Sequence, residues 1–122
     1  MNQNKKLLIV EDDEDFAFIL KKKFTDEGFN VIMAQDGEMG AAQAEMEKPD
    51  IILSDVLLPK MNGTDMAKKI KATNKDIPIV FLTNLKDVEQ VMEDIKIMDC
   101  ECLIKSDNHI SEIVEKIKSK IK

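Results

Sequence analysis

Five consecutive acids, Glu11 to Asp15, follow directly on the apolar run Leu7-Leu8-Ile9-Val10. A second apolar run, Ile51-Ile52-Leu53, leads through Ser54 to a single acid, Asp55. Ile79 to Leu82 runs into Thr83, and Glu101 to Ile104 runs into Lys105. If these four runs are strands of one parallel sheet, their carboxyl ends collect carboxylates, one hydroxyl and one ammonium along one edge, where ligands bind in such sheets. Carboxylates gathered there repel one another, so some must protonate, spread apart or bind a cation. Oxygen ligands without His or Cys suit Mg²⁺ better than zinc or copper. A Mg²⁺ held by few carboxylates keeps water positions that phosphate oxygens can take, and Lys105 and Thr83 would add contacts to a phosphoryl group. A carboxylate at such a metal can itself be the nucleophile, which singles out Asp55.

Each residue has a plainer reading. Acids at the start of a helix are favoured by its dipole. A lone Asp55 would cap a turn, a lone Thr83 would simply end a strand, and a lone Lys105 would be a solvated charge. His109, the only histidine, lies near the start of the last helix and reads as a capping or surface residue. Convergence of the first four groups on one edge is what favours chemistry.

The elements that must position them are legible in the apolar spacing. Strands are expected at Leu7–Val10, Phe29–Ala34, Ile51–Leu53, Ile79–Leu82 and Glu101–Ile104. Between and after them lie helical stripes: Phe16, Ile19, Leu20 and Phe24, stopped by Gly28; Met39, Ala42 and Met46; Met66, Ala67 and Ile70 after the turn Pro59 to Gly63; Val88, Val91, Met92, Ile95 and Met98; and Ile110, Ile113, Val114, Ile117 and Ile121. Strict alternation of strand and helix predicts an α/β fold, a doubly wound five-stranded parallel sheet covered on both faces. The fifth strand, with Glu101 beside Cys102, reads as an edge strand.

Composition bounds the function classes. The 122 residues suit a single domain over 1–122, with no output domain expected because the chain stops where the fifth helix stops. A hydrophobic fraction of 43% excludes wholesale disorder. Acids outnumber bases 24 to 18, giving −6, which argues against direct nucleic-acid binding. No apolar run approaches the ~20 residues of a membrane span, and no secretory signal is visible, so no membrane insertion and a cytoplasmic location are expected. Cys100 and Cys102 are too close in sequence for an unstrained bridge, and reduced thiols are expected.

The sequence resembles a response-regulator receiver domain of bacterial two-component signalling, over almost the entire chain. The resemblance is carried by Leu7-Leu8-Ile9-Val10-Glu11-Asp12-Asp13, Asp36-Gly37-Glu38, Pro49-Asp50-Ile51-Ile52-Leu53-Ser54-Asp55, Leu58-Pro59-Lys60-Met61-Asn62-Gly63, Phe81-Leu82-Thr83 and Leu103-Ile104-Lys105. It implies a flavodoxin-like (βα)5 fold with strand order 2-1-3-4-5. It implies that Asp55 is the phosphoacceptor, that Glu11 and Asp12 are the acidic pair with Asp12 a direct Mg²⁺ ligand, and that Leu57 offers its backbone carbonyl to the metal. Thr83 resembles the switch hydroxyl, and Lys105 the lysine that contacts a phosphoryl oxygen. Asp13 follows the pair and reads as helix-start chemistry.

The resemblance also implies a phosphoprotein rather than an enzyme acting on other substrates, catalysing only its own phosphorylation and dephosphorylation. The phosphoryl donor would be a histidine kinase or histidine phosphotransfer protein. A downstream protein target would dock on the face of the fourth helix, fifth strand and last helix, the chain being a monomer or a weak phosphorylation-dependent dimer. Three residues depart from the pattern. Cys102 stands where the family usually has Tyr or Phe, Ser106 follows the lysine in place of proline, and no Gly lies near Met98. Leu57 and Leu85 occupy the two variable positions that influence water attack on the phosphoryl group.

Other classes fit less well. A flavodoxin-like cofactor binder needs a Ser/Thr/Gly-rich phosphate loop where this chain has five acids, and it has no Tyr or Trp to stack on a flavin. A phosphatase acting on external substrates needs room for a cap domain. A receiver-like binding module that no longer switches is the remaining alternative, kept open by Cys102.

Overall fold

The computed structural model describes residues 5–84, 93, 95–96, 100–105 and 109–121. Five parallel strands form one sheet: β1 (Lys6–Val10), β2 (Asn30–Ala34), β3 (Ile51–Asp55), β4 (Ile79–Thr83) and β5 (Glu101–Ile104), in the order β2-β1-β3-β4-β5. The continuous helices among the described residues are α1 (Glu14–Asp26), α2 (Gly37–Glu47), α3 (Gly63–Thr73) and α4 (Ile110–Lys120). The expected doubly wound fold and strand order are present. The helix expected across Val88 to Met98 falls largely outside the described residues; Glu93, Ile95 and Lys96 are helical, and Ile95 is buried.

Successive side chains of a strand point to opposite faces, so each central strand feeds two cores. Leu8, Val10, Ile52 and Phe81 pack with Ala41, Ala44, Met66, Ala67 and Ile70 on the α2–α3 side. Leu7, Ile9, Ile51, Leu53, Val80 and Leu82 pack with Leu20, Phe24, Ile113, Val114 and Ile117 on the α1–α4 side. Burial on both faces is why β1, β3 and β4 read as unbroken apolar runs. Burying each of these large side chains contributes about 1.5–3 kcal/mol. β5 is half-buried along its length, as an edge strand should be.

Two helix faces differ from expectation. On α1, Leu20 and Phe24 are buried, but Ile19 is 49% exposed. On α2, the expected stripe Met39, Ala42 and Met46 is exposed, and the buried face is Gly37, Gly40, Ala41 and Ala44. The reason is proximity. A Cβ on Gly40 would lie 2.5 Å from Met66 Sδ and 3.1 Å from a Val10 methyl, so α2 packs too closely for large side chains. Weighting methionines above glycines and alanines therefore selects the wrong face.

The ends of α1 are set locally. Asp13 Oδ1 accepts hydrogen bonds from the N–H groups of Asp15 (3.1 Å) and Phe16 (3.2 Å), an N-cap of the usual kind. Gly28, at φ 98°, lies in the left-handed region beyond the helix, where glycine pays no Cβ penalty. Asp13 thus has the helix-start role expected of it. Cys100 and Cys102 are half-buried, and no disulfide joins them. Among the described residues, no helix is long and apolar enough to cross a membrane.

Candidate functional site

Sheet register brings the chemistry together. Val10 pairs with Ser54, Asp55 with Leu82, and Thr83 with Ile104, so Glu11, Asp55, Thr83 and Lys105 arrive at one edge. Glu11 leaves β1 with its N–H bonded to Ala34 O at 3.0 Å, and its carboxylate is folded inward, 2% exposed. Asp55 is the last residue of β3 and 9% exposed. Glu11, Asp12 and Asp55 each offer a carboxylate oxygen, and the three oxygens lie within 4.8 Å of one another.

Lys105 closes the group. Its N–H donates to Thr83 O at 2.8 Å, which fixes the residue just beyond β5. Its ammonium then donates to Glu11 Oε1 and to Asp55 Oδ2, both at 2.9 Å. The same ammonium lies 5.0 Å from the centre of the Phe16 ring, a cation–π contact of about 0.5–2 kcal/mol. Thr83 is buried, and its hydroxyl donates a long hydrogen bond of 3.4 Å to Asn84 O. Leu57, in the loop after β3, is 43% exposed. Leu85 and Ser106 lie outside the described residues.

The electrostatics are those of a crowded anionic edge. Burial raises the Glu11 pKa above the usual carboxylate value, and the nearby Asp55 charge adds to it; the Lys105 bond and the Asp13 N–H bond oppose it without reversing it. For Lys105, burial pulls the pKa down, but the hydrogen bonds to Glu11 and Asp55 outweigh it and leave the ammonium held above its ordinary value. Burial, followed by the Asp55 charge, pushes the Cys102 thiol up to about 11.

The donor set fits a hard divalent cation. Three carboxylates beside one ammonium leave two negative charges when all are ionised. All the donors are oxygens, and Asp12 is exposed, which leaves room for the waters that Mg²⁺ retains. Glu11, Asp12, Asp55 and the Leu57 carbonyl are the groups the sequence singled out. The structure brings the three side chains together.

The family model described as the response regulator receiver domain matches residues 7–118. The chain belongs to this family. The alkaline phosphatase synthesis transcriptional regulatory protein PhoP of Bacillus subtilis is 42% identical over 86 residues, covering 70% of this chain and 35% of that protein. CusR of Escherichia coli, a transcriptional regulatory protein, is 35% identical over 100 residues, covering 82% of this chain and 44% of that protein. This receiver chain therefore spans less than half the length of these curated relatives.

Solved structures agree. A CheY-like receiver domain protein from Methanospirillum hungatei matches with a TM-score of 0.88 at 26% identity, covering 97% of this chain and 94% of that one. A CheX–CheY–BeF3–Mg²⁺ complex from Borrelia burgdorferi matches with a TM-score of 0.85 at 26% identity, covering 96% and 89%.

Some residues at the site were not singled out from sequence. Phe16 reads as one more member of an apolar stripe, yet its ring lies over the Lys105 ammonium; its place directly after the acid run was the available signal. Gly63 permits close approach. Its N–H donates to Val56 O at 2.7 Å, and a Cβ there would lie 2.3 Å from Asp55 O.

Proposed function

We propose that this receiver takes a phosphoryl group from the phosphohistidine of a histidine kinase or phosphotransfer protein onto Asp55. The supporting observation is the Lys105 ammonium, hydrogen-bonded at 2.9 Å to both Glu11 and Asp55 inside the carboxylate cluster. An Asp55 carboxylate oxygen forms the new O–P bond as the P–N bond to the donor imidazole breaks, and the imidazole leaves with that electron pair. Lys105 offers its ammonium to a phosphoryl oxygen, and the Thr83 hydroxyl supplies a further contact. Asp12, Asp55 and the Leu57 carbonyl, with Glu11 behind them, are the groups that would hold Mg²⁺. When bound, the ion spreads the negative charge of the transferring group.

In this reading the protein acts on itself rather than on external substrates. It works in the cytoplasm as a monomer or weak phosphorylation-dependent dimer. Residues 1–122 form one receiver unit that signals by protein contact through β5, α4 and the preceding helical stripe. Phosphoramidate with Mg²⁺ should add one phosphoryl group to the wild type and none to Asp55→Asn, read by intact mass. Full labelling of Asp55→Asn would remove Asp55 from its role.

A second reading, a module that binds without switching, is favoured by one observation. Cys102, half-buried on β5, is smaller than the aromatic usual in the family and leaves less bulk to relocate. Amide shifts with beryllofluoride and Mg²⁺ separate the two. Switching moves resonances of β5 and α4, whereas the binding module confines them to the surroundings of Glu11 and Asp55.

A further inference from the structure

The loop joining β3 to α3, residues 56–62, carries Leu57 and is fastened to the start of α2. Gly37, the first residue of α2, donates its N–H to Pro59 O at 3.3 Å. A Cβ on Gly37 would lie 1.8 Å from the Met61 carbonyl oxygen, 2.6 Å from its carbonyl carbon and 2.8 Å from Met61 Cβ. The first two are backbone atoms and cannot swing aside as a side-chain tip can. Asp36 reinforces the contact: one oxygen caps α2 through the Met39 N–H at 2.8 Å, and the other lies 3.9 Å from Lys60 Nζ. Lys60 itself has φ 68°, a region few residues other than glycine adopt, so the loop turns sharply there. At its other end the loop is tied by the Gly63 N–H to Val56 O at 2.7 Å. Leu57 sits between the two ties.

We propose that Gly37 is a positioning residue for the cation site. By leaving no side chain between α2 and the loop, it sets where the Leu57 carbonyl stands relative to Asp12 and Asp55. The inference rests on the reading that these groups hold Mg²⁺. A methyl group at position 37 would have to move from 1.8 Å to at least the 3.0 Å that real Cβ contacts keep. That displacement of about 1.2 Å far exceeds the ~0.2 Å tolerance of metal–ligand distances, and Mg²⁺ demands near-ideal octahedral geometry.

Gly40 provides a matched control on the same helix. A Cβ there would meet Met66 Sδ at 2.5 Å and the Val10 methyls at 3.1 and 3.3 Å, all side-chain atoms and none of them in the loop. Gly37→Ala and Gly40→Ala are compared with the wild type by Mg²⁺ titration of backbone amide shifts, with thermal midpoints recorded without metal. Both variants should melt earlier. Gly37→Ala should bind Mg²⁺ about tenfold more weakly, and Gly40→Ala should stay within about twofold of the wild type.

If Gly37→Ala does not fold, Pro59→Gly is the second arm. It keeps the Gly37 contact but loosens the chain between that contact and Leu57, and it should also weaken Mg²⁺ binding. A folded Gly37→Ala with wild-type affinity overturns this inference alone. So does an equal loss of affinity in Gly40→Ala, or, on the second arm, wild-type affinity in Pro59→Gly. Wild-type protein that binds no Mg²⁺ overturns the phosphoacceptor reading and this inference with it.

Discussion

Lys105 and Asp55 stand 50 residues apart in the chain, yet Lys105 Nζ lies 2.9 Å from Asp55 Oδ2. The parallel register makes this meeting possible, because β4 sits between β3 and β5 and delivers both residues to the same edge. The ammonium touches Glu11, Asp55 and the Phe16 ring, so it is held in place before any phosphoryl group arrives. A donor fixed in advance costs no reorganisation when charge develops.

Lys105→Ala is therefore expected to slow phosphorylation by about 10²–10³-fold, the usual loss when one such donor is removed. The fold should persist, since the ammonium lies at the sheet edge and the two cores do not contain it. Stopped-time intact-mass measurements with phosphoramidate, alongside circular dichroism, check both parts. An unchanged rate in a folded variant would contradict the role.

Slow loss of the phosphoryl group is expected from the side-chain chemistry of Leu57 and Leu85. Hydrolysis needs a water held in line with phosphorus, and neither leucine can hydrogen-bond to it. Leu57 is 43% exposed in the loop directly after β3. Leu57→Asn with Leu85→Glu should shorten the phosphoryl half-life about tenfold or more, equal to ~1.4 kcal/mol or more in barrier. The half-lives of both proteins at equal Mg²⁺ test this. A wild type that decays within seconds, or a double variant that decays no faster, contradicts it.

Cys102 should be chemically quiet at neutral pH. Its thiol is pushed up to about 11, so the reactive thiolate is scarce and grows with each step of alkalinity. In a Cys100→Ser background, iodoacetamide should modify Cys102 about 10²-fold more slowly at pH 7.5 than it modifies an unfolded thiol of ordinary pKa ~8.5. The rate should keep rising about tenfold per pH unit through pH 10. A plateau near pH 9 would show that the thiol is not suppressed.

How far the sequence reveals this molecule depends on the residue. β1, β3 and β4 are legible because burial on both faces leaves continuous apolar runs, and the residue after or at the end of each run falls at the site edge. Asp13 is legible because an acid before a helix has few other tasks there, and the cap bonds to Asp15 and Phe16 bear that out. The buried face of α2 is not legible, because Gly37, Gly40, Ala41 and Ala44 carry almost no hydrophobic signal beside Met39 and Met46. Phe16 is hidden for the opposite reason. Its apolar character is already explained by the α1 stripe, and only tertiary structure reveals the ammonium over its ring.

Asp55 itself is proposed to carry the phosphoryl group. The direct measurement is borohydride reduction of protein phosphorylated with Mg²⁺, which converts an acyl phosphate to an alcohol and marks the residue for peptide mass spectrometry. The expected product is homoserine at position 55, with Glu11, Asp12 and Asp13 unmodified. A mark at any of those three acids with Asp55 intact, or a phosphoryl group that survives borohydride on another residue type, would contradict it.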